Sequence, residues 1–366
     1  MFLYAPDGKR YLDLVSGVSV SNVGHGRKEV VEAIQAQAAD YTHLMVYGEL
    51  VERPQVELAT LLAAQLPDPM DAVYFVNSGS EAIEAALKLA KRVTGRYGIV
   101  AFEKAYHGGT QGSLSVMGDE GFRQAFRPLL PGVTHIPFNE VEALACIDHT
   151  TACVLMEPVQ GEAGVRVPKP GYLEAVRRKC DEAGALLLFD EVQTGFGRTG
   201  KLFAMDTYKV TPDIVSLAKA LGGGMPLGAI ACSWSLMQAW QSNPVLGHIT
   251  TFGGHPVCCA AGLASLKLLL TQDWISQADA KGAYVQQEME AHPQVKEVRR
   301  SGLLLAVDLG DAQKVQRMLA LLVEEGAMGD LFLFCDTAFR IAPPLCITFD
   351  ELKLACDIVR RALDRL

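Results

Sequence analysis

The chain lacks most of the motifs that assign a sequence to a common class. Its nine cysteines contain no C-x-x-C pair, and nine is an odd number. Both facts disfavour a disulfide scaffold and a four-cysteine zinc site, and suit a reducing compartment; no metal is expected. No block of basic residues interrupts an acidic chain of 33 Lys+Arg against 42 Asp+Glu, net -9. Nucleic acid as a partner is therefore disfavoured, because phosphate-backbone binding needs a clustered positive face. No apolar run approaches the roughly 18 residues needed to cross a bilayer, so no membrane partner is expected. Asp7, Lys9 and Arg10 follow Met1-Phe2-Leu3-Tyr4 so closely that no signal-peptide core forms. A soluble cytoplasmic protein is the expectation. A Walker loop (G-x-x-x-x-G-K-[ST]) is missing. So is a G-x-G-x-x-G after the first strand with an acid about 20 residues on, which counts against a nicotinamide-dependent dehydrogenase.

What remains is a well-provided core. Hydrophobic residues make up 49% and charged residues 20% of 366, which excludes global disorder and, at roughly 150 residues per domain, suggests two domains. The opening, Tyr4 to Asp13, reads as strand–turn–strand about Asp7-Gly8. A helix is predicted over Lys28–Tyr41. Through the middle, short β-rich apolar runs alternate with helical stretches: Val73–Val76, Gly98–Phe102, Ala152–Met156, Ala185–Phe189 and Ile214–Leu217. Runs without alternation suit strands covered on both faces, so an α/β fold with a largely parallel sheet is expected. One intervening helix spans Gly171 to Ala183, with Leu173, Val176 and Cys180 on one face. After about residue 265 helical patterns dominate (Gln277–Glu290, Ala312–Glu325, Asp350–Leu366), with short strands such as Leu303–Val307, and an α+β part is expected.

Polar clusters follow each apolar run, and in open α/β sheets ligands bind beyond the carboxyl ends of the strands. Ser78-Gly79-Ser80-Glu81 precedes an amphipathic helix. Ser78 and Glu81 fit a capping box, and the same geometry leaves backbone N–H groups facing an anion. A plain N-cap is the simpler alternative; the glycine between two serines tilts the reading toward phosphate. Asp190 ends a buried run, where a carboxylate needs a partner; a sheet-end salt bridge and a cationic ligand group both serve. Lys219 sits among Ala218, Ala220 and Leu221 before Gly222-Gly223-Gly224. It reads either as a snorkelling surface lysine or as a desolvated amine able to attack a carbonyl. Tyr106-His107 offers a flat aromatic and a titratable ring, or core packing. Arg340, flanked by Phe339 and Ile341 and followed by Pro343-Pro344, suits a bidentate carboxylate anchor or a structural ion pair.

Together these features resemble a pyridoxal-phosphate enzyme, specifically the class III (ornithine/acetylornithine/4-aminobutyrate type) aminotransferases of fold type I. The strongest stretch is Leu188-Phe189-Asp190-Glu191-Val192-Gln193-Thr194-Gly195-Phe196-Gly197-Arg198-Thr199-Gly200, followed by Pro212-Asp213-Ile214 and Lys219. The resemblance runs from Asp7 to Leu345. It implies a mostly parallel seven-stranded sheet in a large cofactor domain, 45–265, and a small α+β domain joined from 1–44 and 266–366. It implies that Lys219 forms the internal aldimine and shuttles a proton, and that Asp190 partners the pyridinium nitrogen of pyridoxal 5'-phosphate. By the same resemblance Val192 and Tyr106 would pack on the two ring faces, with His107 nearby. Gln193 would bond the phenolic oxygen, and Ser78, Gly79 and Ser80 would hold the phosphate. Glu157 and Glu162 belong to the E-P-x-Q-G-E motif, and Glu157 is expected among the cofactor-binding residues. Arg340 would take a substrate α-carboxylate, with Glu162 as the partner that masks it. Thr251 resembles a threonine that reaches the phosphate of a neighbouring subunit, which implies a homodimer with sites at the interface. The implied reaction is ping-pong transfer of nitrogen from a primary amine or an ω- or α-amino acid to an oxo acid such as 2-oxoglutarate. The same machinery also supports decarboxylation or aminomutation.

Four departures bear on the substrate and the boundaries. Many relatives carry an arginine where Gly109 stands, serving a substrate carboxylate. Gly253-Gly254-His255-Pro256 replaces Gly-Gly-Asn-Pro. Gly24-His25-Gly26-Arg27-Lys28 replaces Gly-His-x-His-Pro. Relatives also tend to begin with a longer amino-terminal arm.

Overall fold

A computed structural model describes all residues, 1–366. Its centre is a seven-stranded sheet. Across the sheet the strands run Ala72–Val76, Gly228–Cys232, Ile214–Leu217, Leu186–Asp190, Thr151–Met156, Gly98–Phe102 and Val133–Ile136. Gly228–Cys232 is antiparallel to both of its neighbours, and the other pairs are parallel. Six carboxyl ends therefore open on one edge, the arrangement that collects ligands in α/β sheets.

The unalternating apolar runs have a direct cause. In Thr151–Met156 every residue is buried. Cys153 and Leu155 pack into one core with Ile83, Leu87 and Ala90 of the helix Gly79–Thr94, whereas Val154 and Met156 join another with Leu173 and Val176 of the helix Tyr172–Ala183. Side chains two apart share a face, and here both faces are covered.

Two strands were not legible as apolar runs. Val133–Ile136 lies at the sheet edge and is half exposed. Gly228–Cys232 reads Gly-Ala-Ile-Ala-Cys, mostly small residues of low strand preference. Its first glycine is required, because a Cβ there would lie 2.3 Å from the Ser78 carbonyl oxygen.

The chain ends meet. Phe2–Tyr4 and Arg10–Asp13 form the expected hairpin, and Arg10–Asp13 then pairs in parallel with Ala327–Met328. A four-stranded antiparallel sheet orders Glu297–Ser301, Leu304–Asp308, Cys335–Ile341 and Asp330–Phe332. The helices Trp274–Glu290, Ala312–Glu325 and Phe349–Leu363 begin or end within a few residues of their expected bounds. The helix Lys28–Asp40 packs on Pro256–Thr271. No helix is long and apolar enough to cross a membrane.

Arg198 ties these parts together from a fully buried position. Its Nη1 donates to the carbonyls of Leu303 (3.0 Å) and Pro343 (2.7 Å), and its Nη2 to Ser16 Oγ (3.1 Å) and Asn22 Oδ1 (2.5 Å). Four acceptors from three distant segments thus depend on one guanidinium. Replacing Arg198 by Met should leave all four unpaired and lower unfolding free energy by about 3 kcal/mol or more. Arg198→Lys should recover only part of this, because an ammonium lacks the planar fork. Urea denaturation of the three proteins measures both effects.

Candidate active site

A cavity of about 460 Å³ lies at the carboxyl edge of the sheet. Ser78, Gly79, Ser80, Tyr106, His107, Glu157, Glu162, Asp190, Val192, Gln193 and Lys219 line it, so eleven sequence-predicted residues converge.

The anion end is built first. Ser78 is extended and caps the helix Gly79–Thr94, its Oγ accepting from the Glu81 amide at 3.2 Å. The expected capping box does not close. Glu81 instead accepts from the backbone N–H of Asn77 at 2.7 Å and from Asn77 Nδ2 at 2.8 Å. The S-x-x-E spacing allows either partner, and the asparagine offers two donors on one side. At Gly79 a Cβ would sit 3.1 Å from Val192 Cγ1. At Gly108, whose φ is +114°, a Cβ would lie 2.1 Å from Ser80 Oγ. Two bare backbones therefore bring the helix start, Val192 and the 108–109 loop into one cup, which suits a phosphate on the helix dipole.

Asp190 forms the floor. Its Oδ1 accepts from the Val192 amide at 3.0 Å, and its Oδ2 meets His107 Nδ1 at 2.7 Å. His107 therefore stands against this carboxylate and orients it, a more specific role than contact with a cofactor. Glu191, next along the chain, points elsewhere and accepts from the amides of Ala204 and Met205 and from Thr194 Oγ1. It holds the loop that carries Val192 and Gln193. Glu157 accepts from the amides of Tyr106 and Gly161, both at 2.7 Å. Burial pushes its carboxyl up to about 7, against the downward pull of His107, while the charge of Asp190 adds to the rise.

Lys219 follows the strand Ile214–Leu217 at a backbone φ of +49°, a sparsely populated region for a lysine. It lines the cavity and is half-buried. Burial lowers its pKa from 10.5, Glu162 and Asp190 oppose this, and Arg340 assists it.

Arg340 is fully buried on the strand Cys335–Ile341, with Nη2 donating to Glu162 Oε1 at 2.6 Å. The other oxygen of Glu162 accepts from the Leu333 amide at 3.2 Å. Thr251 lies outside the cavity, exposed, its Oγ1 3.5 Å from Tyr47 Oη. Gly109 is exposed beside the cup; a Cβ there would meet nothing within 4 Å.

Several lining residues escaped sequence reasoning, among them Val20, Met225 and Leu227. Val20 arrives by an unusual turn in which Ser16, Gly17, Val18 and Ser19 all have φ between 50° and 65°. Asp13 Oδ1 steadies this turn by accepting from the amides of Val15 and Ser16, each at 2.8 Å. Nothing in the local pattern marks such a conformation, since a β-branched residue like Val18 avoids it.

Gln193 Nε2, His107 Nε2 and the Nε and Nη1 atoms of Arg340 are buried without a hydrogen-bond partner. His107 and Gln193 line the cavity, and their unmet donors fit a polar ligand that supplies partners, whereas Arg340 is not among its lining residues. An anion cup, a buried carboxylate, a free amide donor and a desolvated amine match the phosphate, ring nitrogen, phenolic oxygen and carbonyl of pyridoxal phosphate.

Comparison with known proteins agrees. The family model "Aminotransferase class-III" matches residues 1–363. Acetylornithine aminotransferase from Methanopyrus kandleri is 41% identical over 353 residues, covering 95% of this chain and 88% of that protein. A thermostable (S)-enantioselective omega-transaminase from Thermomicrobium roseum superposes with a TM-score of 0.93 at 33% identity, covering 100% of this chain and 90% of the other. A PLP-bound amine transaminase from an uncultivated Pseudomonas species gives a TM-score of 0.92 at 30% identity, covering 100% and 93%.

The lowered pKa of Lys219 has a measurable sign. An amine reacts only when neutral, and a lowered pKa puts that form at lower pH. In cofactor-free protein, reductive alkylation of Lys219 by formaldehyde and cyanoborohydride should rise through a midpoint below 10.5. Peptide mapping across a pH series gives the profile, and a midpoint at 10.5 or above would contradict the burial argument.

Proposed function

The chain belongs to the class-III aminotransferases, which use pyridoxal phosphate, and we propose that it draws nitrogen from primary-amine donors without an arginine grip on a distal carboxylate. The acceptor in this reading is an oxo acid such as 2-oxoglutarate. One observation carries the donor class. Gly109 leaves open space beside the cup, and the residues that follow it, through Thr110 Oγ1, Gly112 N and Ser113 N, donate to a carboxylate, Glu84. A donor carboxylate directed there would meet no cation from this loop.

The bound cofactor supplies an electron sink that withdraws charge from the carbon exchanging a proton. The protein holds it and moves that proton. Ser78, Gly79 and Ser80 hold the phosphate. Asp190, fixed by His107, holds the ring nitrogen protonated; Gln193 takes the phenolic oxygen, and Val192 and Tyr106 confine the ring. Lys219 Nζ would be the nucleophile and then the general acid–base, its amine taking up and holding the proton that the donor carbon gives up. Arg340 binds the α-carboxylate of the acid partner, and Glu162 neutralises Arg340 when the donor brings no carboxylate.

The catalytic unit in this reading is a homodimer in which Thr251 serves the phosphate of the other protomer. Exposed Val245, Leu246, Ile249 and Phe252 support it, since apolar side chains on the segment that carries Thr251 need cover. A cytoplasmic location fits nine free cysteines.

Two outcomes test these assignments. Gly109→Arg should raise kcat/KM about ten-fold for donors with a distal carboxylate, such as 4-aminobutyrate, the value of one added charged hydrogen bond. If wild type already prefers such a donor and the substitution changes nothing, the donor assignment is wrong. Thr251→Ala should weaken pyridoxal phosphate retention, seen as faster loss of the yellow colour on dialysis. Sedimentation of the wild type should give the mass of a dimer, and a monomer that keeps its cofactor would remove the role of Thr251.

A further inference from the structure

Arg340 has a second carboxylate neighbour. Asp330 stands directly opposite it in the register of the antiparallel strands Asp330–Phe332 and Cys335–Ile341. Asp330 Oδ2 lies 3.7 Å from Arg340 Nη1, on the other side of the guanidinium from Glu162. That separation is too long for a hydrogen bond but close for a charge pair. Phe332 covers one face of the guanidinium, its ring centre 4.6 Å from Cζ.

The two carboxylates are held differently. Glu162 reaches Arg340 at the end of a flexible side chain, and its backbone belongs to a loop. Asp330 is shorter and sits on a paired strand, and its Oδ1 accepts from the Leu331 amide at 2.9 Å. Glu162 can turn away from the arginine by rotation about its longer side chain, at the cost of its 3.2 Å bond from the Leu333 amide. Asp330 cannot leave without breaking that bond or the strand pairing.

We propose that Asp330 is a specificity-determining residue that weakens the grip of Arg340 on substrate carboxylates. The inference rests on the reading of Arg340 as the carboxylate anchor. A carboxylate that replaces Glu162 restores one ion pair but still shares its cation with Asp330. The acid partner is therefore bound more loosely than the arginine alone would allow, and donors with no carboxylate at this end suffer no such repulsion. Asp330 also keeps the guanidinium accompanied while Glu162 is displaced. The side chain of Asp330 is 38% exposed, so solvent screens its charge and the effect is modest.

Glutarate is the probe, having both carboxylates of 2-oxoglutarate but no oxo group to react. Its binding to the pyridoxal form of the holoenzyme is measured by calorimetry for wild type, Asp330→Asn and Asp330→Glu. Asparagine keeps the acceptor for the Leu331 amide and removes the charge. Asp330→Asn should bind glutarate about two- to five-fold more tightly at low salt, with KM for 2-oxoglutarate falling alike. The gain should shrink in about 0.5 M salt. Asp330→Glu should stay near wild type, and affinity for pyridoxal phosphate should be unchanged in both. Unchanged or weaker glutarate binding in Asp330→Asn, with cofactor affinity intact, would overturn the proposal. Arg340→Lys separates the two ideas. If it leaves glutarate binding unaltered, the anchor reading fails. If it weakens binding while Asp330→Asn has no effect, only the role of Asp330 fails.

Discussion

The 2.7 Å contact between His107 Nδ1 and Asp190 Oδ2 sets the depth and orientation of the site. Asp190 ends the strand Leu186–Asp190, and His107 comes from the loop after Gly98–Phe102. Thr151–Met156 lies between them in the sheet. At roughly 5 Å per strand, the loop must cross about 10 Å to make this contact. Glu157, at the end of the intervening strand, makes the crossing possible by accepting from the Tyr106 amide on one side and the Gly161 amide on the other. Three neighbouring strand ends are thus joined by two buried carboxylates. The same lacing turns Tyr106 over the cavity and directs the Gln160–Glu162 segment toward Arg340.

How much of this can be read from residues alone depends on the range of each interaction. Runs such as Leu186–Phe189 announce buried strands because both faces are covered, and polar residues at their carboxyl ends mark the site edge. Gly228–Cys232 carries no such signal. Its small residues answer a tertiary demand, the approach of the Ser78 carbonyl. The capping box at Ser78 failed for a related reason: spacing fixes which residues are near one another, but not whether Glu81 turns to the amide of Ser78 or of Asn77. His107 was legible as a site residue, whereas its partner was not, because the pairing is made across the sheet. Val20 was invisible, since a left-handed turn braced by Asp13 and Arg198 delivers it. Arg340 stood out by its apolar flanks. Asp330, ten residues earlier, gained meaning only when strand register set it opposite.

The charge of the cavity follows a different logic from the acidity of the whole chain. Lys219 is drawn down by burial and held up by Glu162 and Asp190, with Arg340 pulling down again. Burial outweighs the rest, so the net direction is downward, toward the neutral amine. A proton-shuttling group needs both states within reach. The start of the helix Gly79–Thr94 adds positive potential without another titrating side chain, through backbone dipoles.

Arg340 faces the harder electrostatic problem, since a wholly buried guanidinium cannot be left alone. Removing one member of a buried pair costs on the order of 3–5 kcal/mol. An aminotransferase that alternates between an amine and an oxo acid empties and refills its carboxylate site in every cycle. A resident carboxylate must therefore replace the departing one, and it must yield to the next. Glu162, long and rooted in a loop, is suited to yielding. Asp330, short and rooted in a strand, is suited to remaining. On the proposed reading of Arg340 as the carboxylate anchor, the two together would let a fixed cation serve two substrates of different charge without the fold having to move.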